Sequence, residues 1–374
     1  MPFNRPSFVG NELAYISEAI AQGHVSGDGS FTRRCHRWLE ERLGVPKALL
    51  TTSCTHALEM AALLLDLGEG DEVIVPSFTF VSTANAFAMR GATPVFCDVR
   101  PDTLNIDESR IESLITDKTR AVVVVHYAGV ACEMDAIAAI AASRGLKVIE
   151  DNAHGLFGRY KGIPLGTIGC MATQSFHETK NVTCGEGGAL LLNDPRYVDR
   201  AEILREKGTK RSQFFRGQVD KYTWVDLGSS YLPSDILAAF LLAQLERAEE
   251  IQRKRRLVWD FYHGGLVDWA SRSGSRLPIV PEHCEQAYHM FYVLLPTARA
   301  REALTEHLER LGIMAVFHYR PLHLAKMGVR YGARPGDCPV AEEVCDRLLR
   351  LPLYYGIGDG DVARTIQAVS TFMP

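Results

Sequence analysis

The sequence predicts an α/β protein with two domains, a large one built on a mainly parallel sheet and a smaller α+β domain at the C-terminal end. Strand-length apolar segments alternate with helical segments between residues 72 and 151, and such βα alternation with short connections produces parallel sheets covered by helices. Residues 121–125 (AVVVV) form an uninterrupted apolar run, as in strands buried on both faces. The 374 residues are too many for one compact core and suggest about two domains.

The predicted elements follow the chain in order. Near the N-terminus, apolar residues recur at helical spacing over residues 12–21, 31–43 and 56–67, and a glycine closely follows each segment. Strands are then expected over residues 72–76, 94–99, 121–126, 147–151 and 189–192, with helices over residues 82–90, 107–115, 134–143 and 196–207. A helical stretch over residues 234–262 leads to the small domain, where strands over 290–295 and 315–318 enclose a helix over 301–311. We place the large domain at residues 1–245 and the small domain at residues 246–374.

Composition excludes several classes of protein. A content of 47% hydrophobic and 23% charged residues is that of an ordinary soluble globular protein, and the net charge of −4 argues against a nucleic-acid binder. The N-terminus lacks the apolar stretch of a signal peptide and no apolar run is long enough to cross a bilayer. The nine cysteines are odd in number and lack CxxC pairs, so we expect reduced thiols and no metal site. The sequence thus predicts a cytoplasmic protein that binds neither membranes nor nucleic acid.

Two reactive side chains, Asp151 and Lys180, carry the prediction of chemistry. Asp151 ends the apolar run of residues 147–151, which is how a buried parallel strand delivers a functional group at its C-terminal tip. Pyridoxal phosphate needs an amine for its aldehyde and a carboxylate that keeps its ring nitrogen protonated. Taken singly, Lys180 could be a solvated loop lysine and Asp151 a helix cap. Together they favour a pyridoxal phosphate site with a Schiff base on Lys180.

Small hydroxyl residues supply a candidate phosphate site. Ser53, Cys54 and Thr55 precede a predicted helix, and free amides and the dipole at a helix N-terminus favour an anion. A plain helix cap is the alternative. Ser175 adds a hydroxyl near Lys180, and the glycines at residues 185–188 (GEGG) let backbone approach a flat ring.

These motifs carry a resemblance to a known family. Residues 150–154 (EDNAH), residues 175–181 (SFHETKN) and the glycine-rich residues after them resemble the sugar aminotransferases of the DegT/DnrJ/EryC1/StrS family, and the resemblance extends over nearly the whole chain. It implies the fold-type I architecture of pyridoxal phosphate enzymes, with a mainly parallel seven-stranded sheet. It also implies a homodimer with shared active sites.

The resemblance implies further cofactor contacts. An aromatic residue stacks on the cofactor ring in the family, and that role falls to Phe78, with a core-packing Phe as the alternative. His154 is expected to orient the cofactor, with a buried structural histidine as the alternative. Many members carry Asn where Ser230 stands, and this Asn reaches the cofactor phosphate of the neighbouring subunit. Ser230 is therefore expected to donate a similar hydrogen bond.

Substrate contacts are expected in two segments. Residues 208–224 combine four basic residues with four aromatics, a mixture suited to a diphosphate and a flat base, although a solvated loop is the alternative. Residues 318–323 (HYRPLH) resemble the substrate-side loop of the family. The candidate substrate-binding residues are Lys210, Arg211, Phe214, Arg216, Tyr222, His318, Tyr319 and His323.

The expected reaction is a two-stage transamination in which Lys180 moves a proton as general base and acid. Residues 98–103, 126–135 and 205–230 resemble the branch of the family that makes dTDP-4-amino-4,6-dideoxygalactose for enterobacterial common antigen. That implies L-glutamate as donor and dTDP-4-keto-6-deoxyglucose as acceptor. Two alternatives stay open: a sister enzyme that aminates C3 or gives the opposite stereochemistry at C4, and a non-catalytic regulator that binds pyridoxal phosphate.

Overall fold

One large sheet forms the centre of the fold. The computed structural model describes residues 1–373. The strands are β1 (Lys47–Thr51), β2 (Glu72–Pro76), β3 (Thr93–Cys97), β4 (Thr119–Val125), β5 (Lys147–Asp151), β6 (Arg159–Tyr160), β7 (Ile163–Pro164), β8 (Met171–Ser175), β9 (Gly188–Leu192), β10 (Cys284–Glu285), β11 (Phe291–Leu294) and β12 (Leu348–Leu351). The large sheet has seven strands in the order β1-β9-β8-β5-β4-β2-β3. Within it β9 pairs antiparallel with both neighbours, whereas the other pairings are parallel.

Helices cover both faces of this sheet and build most of the C-terminal part. They are α1 (Glu12–Ala21), α2 (Ser30–Leu43), α3 (Cys54–Leu64), α4 (Ser82–Ala88), α5 (Glu108–Leu114), α6 (Met134–Arg144), α7 (Val198–Arg205), α8 (Arg211–Phe215), α9 (Asp235–Glu246), α10 (Ala248–Ser273), α11 (Ala298–Arg310), α12 (Lys326–Arg330), α13 (Pro339–Arg347) and α14 (Asp359–Ser370). No helix within residues 1–373 has both the length and the apolar character that crossing a bilayer requires.

The apolar runs become strands that are buried on both faces. Along β4, Val123 packs with residues of α3, α4 and α7, whereas its neighbours Val122 and Val124 pack with residues of α6 on the opposite face. Successive strand side chains point to opposite faces, so a strand covered on both sides favours apolar residues at consecutive positions. This explains why the sequence shows continuous apolar runs, and it confirms the predicted α/β fold with a mainly parallel sheet.

The C-terminal part has its own core. Strands β11 and β12 pair antiparallel, and their apolar side chains pack with residues of α10, α11 and α14. The predicted strand over residues 315–318 is wrong, because this segment contributes one isolated bridge between Val316 and Arg350. The strand that pairs with β11 is β12, which lies further along the chain.

Other departures from the predicted elements are local. The helix expected over residues 234–262 is two helices, because Arg247 (φ −107°, ψ 15°) interrupts the helix between α9 and α10. The break lets α9 pack on the large domain with α2 while α10 packs in the small-domain core. Strands β1 and β8 are additional to the predicted strands. The segment after residue 208 includes a short helix, α8, rather than loop alone.

Candidate active site

A cavity of about 760 Å³ lies at the C-terminal edge of the large sheet. Because parallel strands end at the same edge, the residues after β1, β2, β5 and β8 meet there. The small domain closes the other side. The cavity is lined on the sheet side by residues that include Ser53, Cys54, Thr55, Phe80, Asp151, His154, Ser175 and Lys180, and on the small-domain side by His289, His318, Tyr319, Arg320 and Arg350.

Asp151 lies on the floor of the cavity at the end of β5. Its Oδ2 atom accepts a hydrogen bond from the Thr83 hydroxyl at 2.7 Å, and Oδ1 accepts one from the Ala153 amide at 3.2 Å. Burial raises the pKa of Asp151, and these hydrogen bonds and the charge of Lys180 oppose the rise. A cation that bound against this carboxylate would restore its charge. Asp151 is therefore fixed in position and suited to hold a protonated ring nitrogen.

Lys180 lies in the loop between β8 and β9 and reaches the same cavity. Burial lowers its pKa to about 8, although neighbouring groups that include Asp151 oppose the effect. Near neutral pH a useful fraction of the amine is therefore uncharged, which an amine needs in order to attack an aldehyde or take up a proton. The loop is anchored by Asn181, whose side-chain amide donates to the Ala287 carbonyl at 2.6 Å.

The N-terminus of α3 forms one end of the cavity. Ser53 caps the helix, and its hydroxyl accepts a hydrogen bond from the His56 amide at 3.1 Å. The Thr55 hydroxyl bonds to the Ser82 hydroxyl at 2.7 Å. A Cβ atom at Gly188 would lie 2.3 Å from the Ser53 carbonyl carbon, so only glycine lets the start of β9 approach this turn. The helix cap and the candidate phosphate site thus coincide.

Cys54 points from the same turn toward the sheet. Its thiol lies 3.3 Å from the Thr173 hydroxyl and 3.9 Å from Asp151 Oδ1. Burial raises the pKa of this thiol, so it stays protonated at neutral pH. Its side chain therefore fills the space beside Asp151, and the backbone of Cys54 is the part that could contact a phosphate.

His154 forms one wall together with a second histidine. The rings of His154 and His289 stack with centroids 4.3 Å apart, and His289 Nδ1 lies 2.9 Å from the Asn181 side-chain oxygen. Burial lowers the pKa of both rings well below its usual value, so they are neutral at pH 7. The buried Nδ1 atom of His154 has no hydrogen-bond partner within residues 1–373.

These features fit pyridoxal phosphate. The cavity brings a carboxylate, a partly neutral amine, a helix N-terminus that carries hydroxyl groups and an unpartnered imidazole nitrogen to one place. Asp151 would hold the ring nitrogen, Lys180 the aldehyde carbon, and Ser53, Thr55 and Ser175 the phosphate. No group of His, Cys, Asp or Glu side chains within residues 1–373 is arranged to hold a metal ion.

Of the two phenylalanines that follow β2, Phe80 lines the cavity and Phe78 does not. Phe78 is 1% exposed and packs against Tyr127 and Tyr319, with ring centroids 5.3 and 5.8 Å away, and it does not line the cavity. Phe80 lines the cavity and is 56% exposed. Side chains two residues apart in an extended segment point the same way, but the chain turns into α4 here, and Phe78 points into the core. The assignment of ring stacking to Phe78 is therefore wrong.

His323 is also misassigned, whereas His318 and Tyr319 line the cavity as expected. The ring of His323 is fully buried, with Nδ1 2.6 Å from the Ser77 hydroxyl and Nε2 2.9 Å from Glu342. It joins the end of β2 to α13 inside the protein. Both ring nitrogens are occupied, so His323 has no free group for a substrate.

The basic and aromatic segment lies outside the cavity of its own chain. Arg216 pairs with Glu202 at 2.6 Å, and Phe214 packs against Phe215 and Tyr222 at 5.6 and 5.5 Å. Exposed aromatic rings are uncommon in a solvated loop. Within one chain, the candidate substrate-binding residues of this segment do not line the cavity that holds Lys180. Ser230, which is exposed, does not line it either. The residues concerned are Lys210, Arg211, Phe214, Arg216, Tyr222 and Ser230.

Sequence reasoning missed several residues that the structure places at the site, among them Thr83, Phe80, His289, Arg320 and Arg350. Phe80 follows β2 as closely as Phe78 does, so strand-end location alone could not separate them. Thr83 lies within α4 and carries no motif. His289 and Arg350 come from the small domain, more than 100 residues from Lys180 along the chain, and only tertiary structure brings them together.

Comparison with known proteins identifies the family. The model of the DegT/DnrJ/EryC1/StrS aminotransferase family matches residues 6–370. The chain is 32% identical to the GDP-perosamine synthase of Escherichia coli O157:H7, over 100% of this chain and 98% of that protein. Among solved structures it is similar to the aminotransferase TlmJ from Streptoalloteichus hindustanus (TM-score 0.90, 33% identity, 99% and 98% of the two chains). It is also similar to the pyridoxal phosphate form of the sugar aminotransferase Spr1654 from Streptococcus pneumoniae (TM-score 0.91, 26% identity, 99% and 98%). The chain therefore has the fold-type I architecture, uses pyridoxal 5′-phosphate, and belongs to the DegT/DnrJ/EryC1/StrS aminotransferase family.

Proposed function

We propose that this enzyme transfers the amino group of L-glutamate to C4 of dTDP-4-keto-6-deoxy-D-glucose. The products are dTDP-4-amino-4,6-dideoxy-D-galactose and 2-oxoglutarate, and the reaction serves the synthesis of a surface polysaccharide in the cytoplasm. The observation that carries the proposal is the meeting of Lys180 and Asp151 in one cavity. Family membership and a relative named for a nucleotide-linked sugar support the class of substrate. The choice of acceptor rests on the resemblance in sequence alone.

In this proposal the side chains of the protein have two tasks: Asp151 balances the positive charge of the ring nitrogen, and Lys180 moves a proton. Bound pyridoxal phosphate supplies an electron-withdrawing ring that stabilises negative charge at the carbon that loses its proton. Asp151, held by Thr83, keeps the ring nitrogen protonated. Lys180 would take the proton from the donor's α-carbon and release it again, because its lowered pKa lets the amine exist in both forms. His154 donates through its free Nδ1 atom to the cofactor edge.

The acceptor carries a negatively charged diphosphate, which basic side chains of the enzyme must bind. Within one chain the cations that line the cavity are Lys180, Arg320 and Arg350. The basic segment of residues 208–224 lies elsewhere, with four aromatics beside it. We propose that the enzyme is a homodimer in which this segment, and Ser230, complete the site of the partner subunit.

Absorbance spectroscopy tests the proposed reaction. The purified enzyme should lose the band of its lysine-bound cofactor on addition of L-glutamate and recover it on addition of dTDP-4-keto-6-deoxyglucose. NMR of the product then fixes the position and configuration of the new amine. Loss of the band without recovery would exclude this acceptor. A band that glutamate leaves unchanged would favour the non-catalytic regulator.

Subunit complementation tests the shared site. The variant Lys180→Ala and the double variant Lys210→Ala/Arg211→Ala should each be nearly inactive as homodimers. When equal amounts are refolded together, half of the dimers are mixed and each mixed dimer carries one intact site. Activity should therefore return to about a quarter of the wild-type value, as expected for random association of dimers. If activity stays near zero although mixed dimers form, the segment serves its own subunit.

A further inference from the structure

His289 lines the small-domain wall of the cavity, and the proton transfer described above gives it no task. The residue lies shortly before β11 and is 8% exposed. Its ring stacks on the ring of His154, with centroids 4.3 Å apart. The Nδ1 atom of His289 lies 2.9 Å from the Asn181 side-chain oxygen, whereas Nε2 has no hydrogen-bond partner within residues 1–373. The fold therefore leaves one ring nitrogen of His289 unused.

Hydrogen bonds around Asn181 fix which nitrogen of His289 carries the hydrogen. The Asn181 amide nitrogen donates to the Ala287 carbonyl at 2.6 Å and to the Gln252 side-chain oxygen at 3.1 Å. Gln252 is oriented in turn, because its own amide nitrogen donates to the same Ala287 carbonyl at 3.1 Å. The side-chain oxygen of Asn181 must therefore face His289, and a carbonyl oxygen can only accept. It follows that Nδ1 of His289 carries the hydrogen and that Nε2 of the neutral ring holds a lone pair.

The lone pair of His289 is available to a ligand. Burial lowers the pKa of His289 well below its usual value, and neighbouring charges that include Lys180 add to the effect, so the ring is neutral at pH 7. Unlike the Nδ1 atom of His154, the Nε2 atom of His289 is not enclosed by protein within residues 1–373. One face of the ring is covered by His154 and the Nδ1 edge by Asn181. His289 therefore presents a hydrogen-bond acceptor to the cavity.

This acceptor lies near the reacting amine. Asn181, which holds the ring of His289, follows Lys180 directly in the chain, and Lys180 and His289 line the same cavity. The carbon that receives the amino group must come within reach of Lys180, because this amine moves the proton. A substrate group that meets Nε2 of His289 is therefore attached at the reacting carbon or beside it.

We propose that His289 accepts a hydrogen bond from the hydroxyl at C3 of the sugar acceptor. This assignment rests on the proposed reaction at C4 and makes His289 a residue that selects the acceptor. C4 has two neighbours in the sugar ring, of which C3 carries a hydroxyl and C5 carries a methyl group. Only the hydroxyl can donate to a lone pair. Because a buried acceptor left without a donor is costly, His289 disfavours sugars that lack this hydroxyl.

Two acceptors compared on two enzymes test the assignment. The acceptors are dTDP-4-keto-6-deoxyglucose and its 3-deoxy analogue, and kcat/KM is measured for each with L-glutamate as donor. In the wild type, kcat/KM should be about ten- to a hundredfold lower for the analogue, because Nε2 is left without its donor. His289→Asn should use the two acceptors equally well, within about twofold. The asparagine amide can donate to Asn181 in place of Nδ1, but it has no atom at the position of Nε2.

Matched variants separate recognition from a structural role. Both acceptors use the same amine, so their ratio on one enzyme cancels any disturbance of Lys180 by the variant. His289→Gln can place an amide oxygen near the position of Nε2, and it should recover part of the preference for the hydroxyl. His177→Asn changes a partly exposed histidine of the same cavity, and it should keep the full preference.

The outcomes distinguish this assignment from the proposed reaction. An equal loss for the analogue in the wild type and in folded His289→Asn would overturn the assignment, and so would a wild type that uses both acceptors equally well. If His289→Asn does not fold, His289→Gln decides, and a preference no weaker than that of the wild type would overturn the assignment. A wild type that reacts with glutamate but with neither sugar would instead refute the proposed acceptor, and the assignment would fall with it.

Discussion

The lowered pKa of Lys180 makes a quantitative prediction about cofactor capture. An exposed lysine titrates near 10.5, whereas burial lowers the pKa of Lys180 to about 8. At pH 7 the neutral fraction is therefore about a tenth for Lys180 and about 0.03% for a solvated lysine. Because only the neutral amine attacks an aldehyde, the cofactor-free enzyme should capture pyridoxal phosphate about 300 times faster than a solvated lysine at pH 7, from ionisation alone.

The rate of capture, followed by absorbance from pH 6 to pH 10, checks this prediction. N-α-acetyl-lysine amide serves as the matched control, because titration of pyridoxal phosphate itself affects both reactions equally and cancels in their ratio. The capture rate of the enzyme divided by that of the control amine should fall to about 30 at pH 9 and about 4 at pH 10, because the control amine also becomes neutral. A ratio that stays constant across this range would mean that Lys180 has an ordinary pKa. Lys180→Ala must abolish covalent capture if this residue is the amine.

Three further predictions concern individual side chains. Asp151→Asn should slow the reaction with glutamate about a hundredfold or more in stopped-flow measurements, because a neutral amide cannot hold the ring nitrogen protonated; Thr83→Val removes one hydrogen bond from that carboxylate and should have a smaller effect. Phe78→Ala should lower the free energy of unfolding by about 3–5 kcal/mol, whereas Phe80→Ala should weaken cofactor or substrate binding with little change in denaturant midpoint; the reverse pattern would restore Phe78 as the stacking residue. His323→Ala should cost about 2 kcal/mol of stability through the lost bonds to buried partners and leave KM unchanged within twofold; a selective rise in KM would return His323 to the substrate site.

The large sheet and the core of the site could be predicted because each depends on local pattern. A strand covered on both faces is apolar at most positions, and the uninterrupted apolar run of β4 therefore stands out in the sequence. Asp151 could be placed at the site because it ends a predicted parallel strand. Lys180 could be paired with it by residue type alone, since β8, the strand before Lys180, was not predicted. The residue types at these two positions then restricted the chemistry to very few cofactors.

The remaining residues of the site could not be predicted, because their positions depend on tertiary contacts that no local sequence pattern reveals. Whether Phe78 or Phe80 faces the cavity depends on how the chain turns between β2 and α4. His318 and His323 belong to one six-residue motif, yet one lines the cavity and the other links Ser77 to Glu342 inside the protein. Arg350 gives no signal in sequence, because only the packing of the small domain brings it to the cavity.

Four ionisable groups of the cavity share one property. Burial shifts the pKa of each toward its neutral form: it raises that of Asp151 and lowers those of Lys180, His154 and Arg350. Each shift is a cost that a ligand of the right charge can reverse. A protonated ring nitrogen would restore the charge of Asp151, so the sheet side of the cavity is suited to hold a cation. The lowered pKa of Lys180 lets its amine exchange a proton in the same cavity.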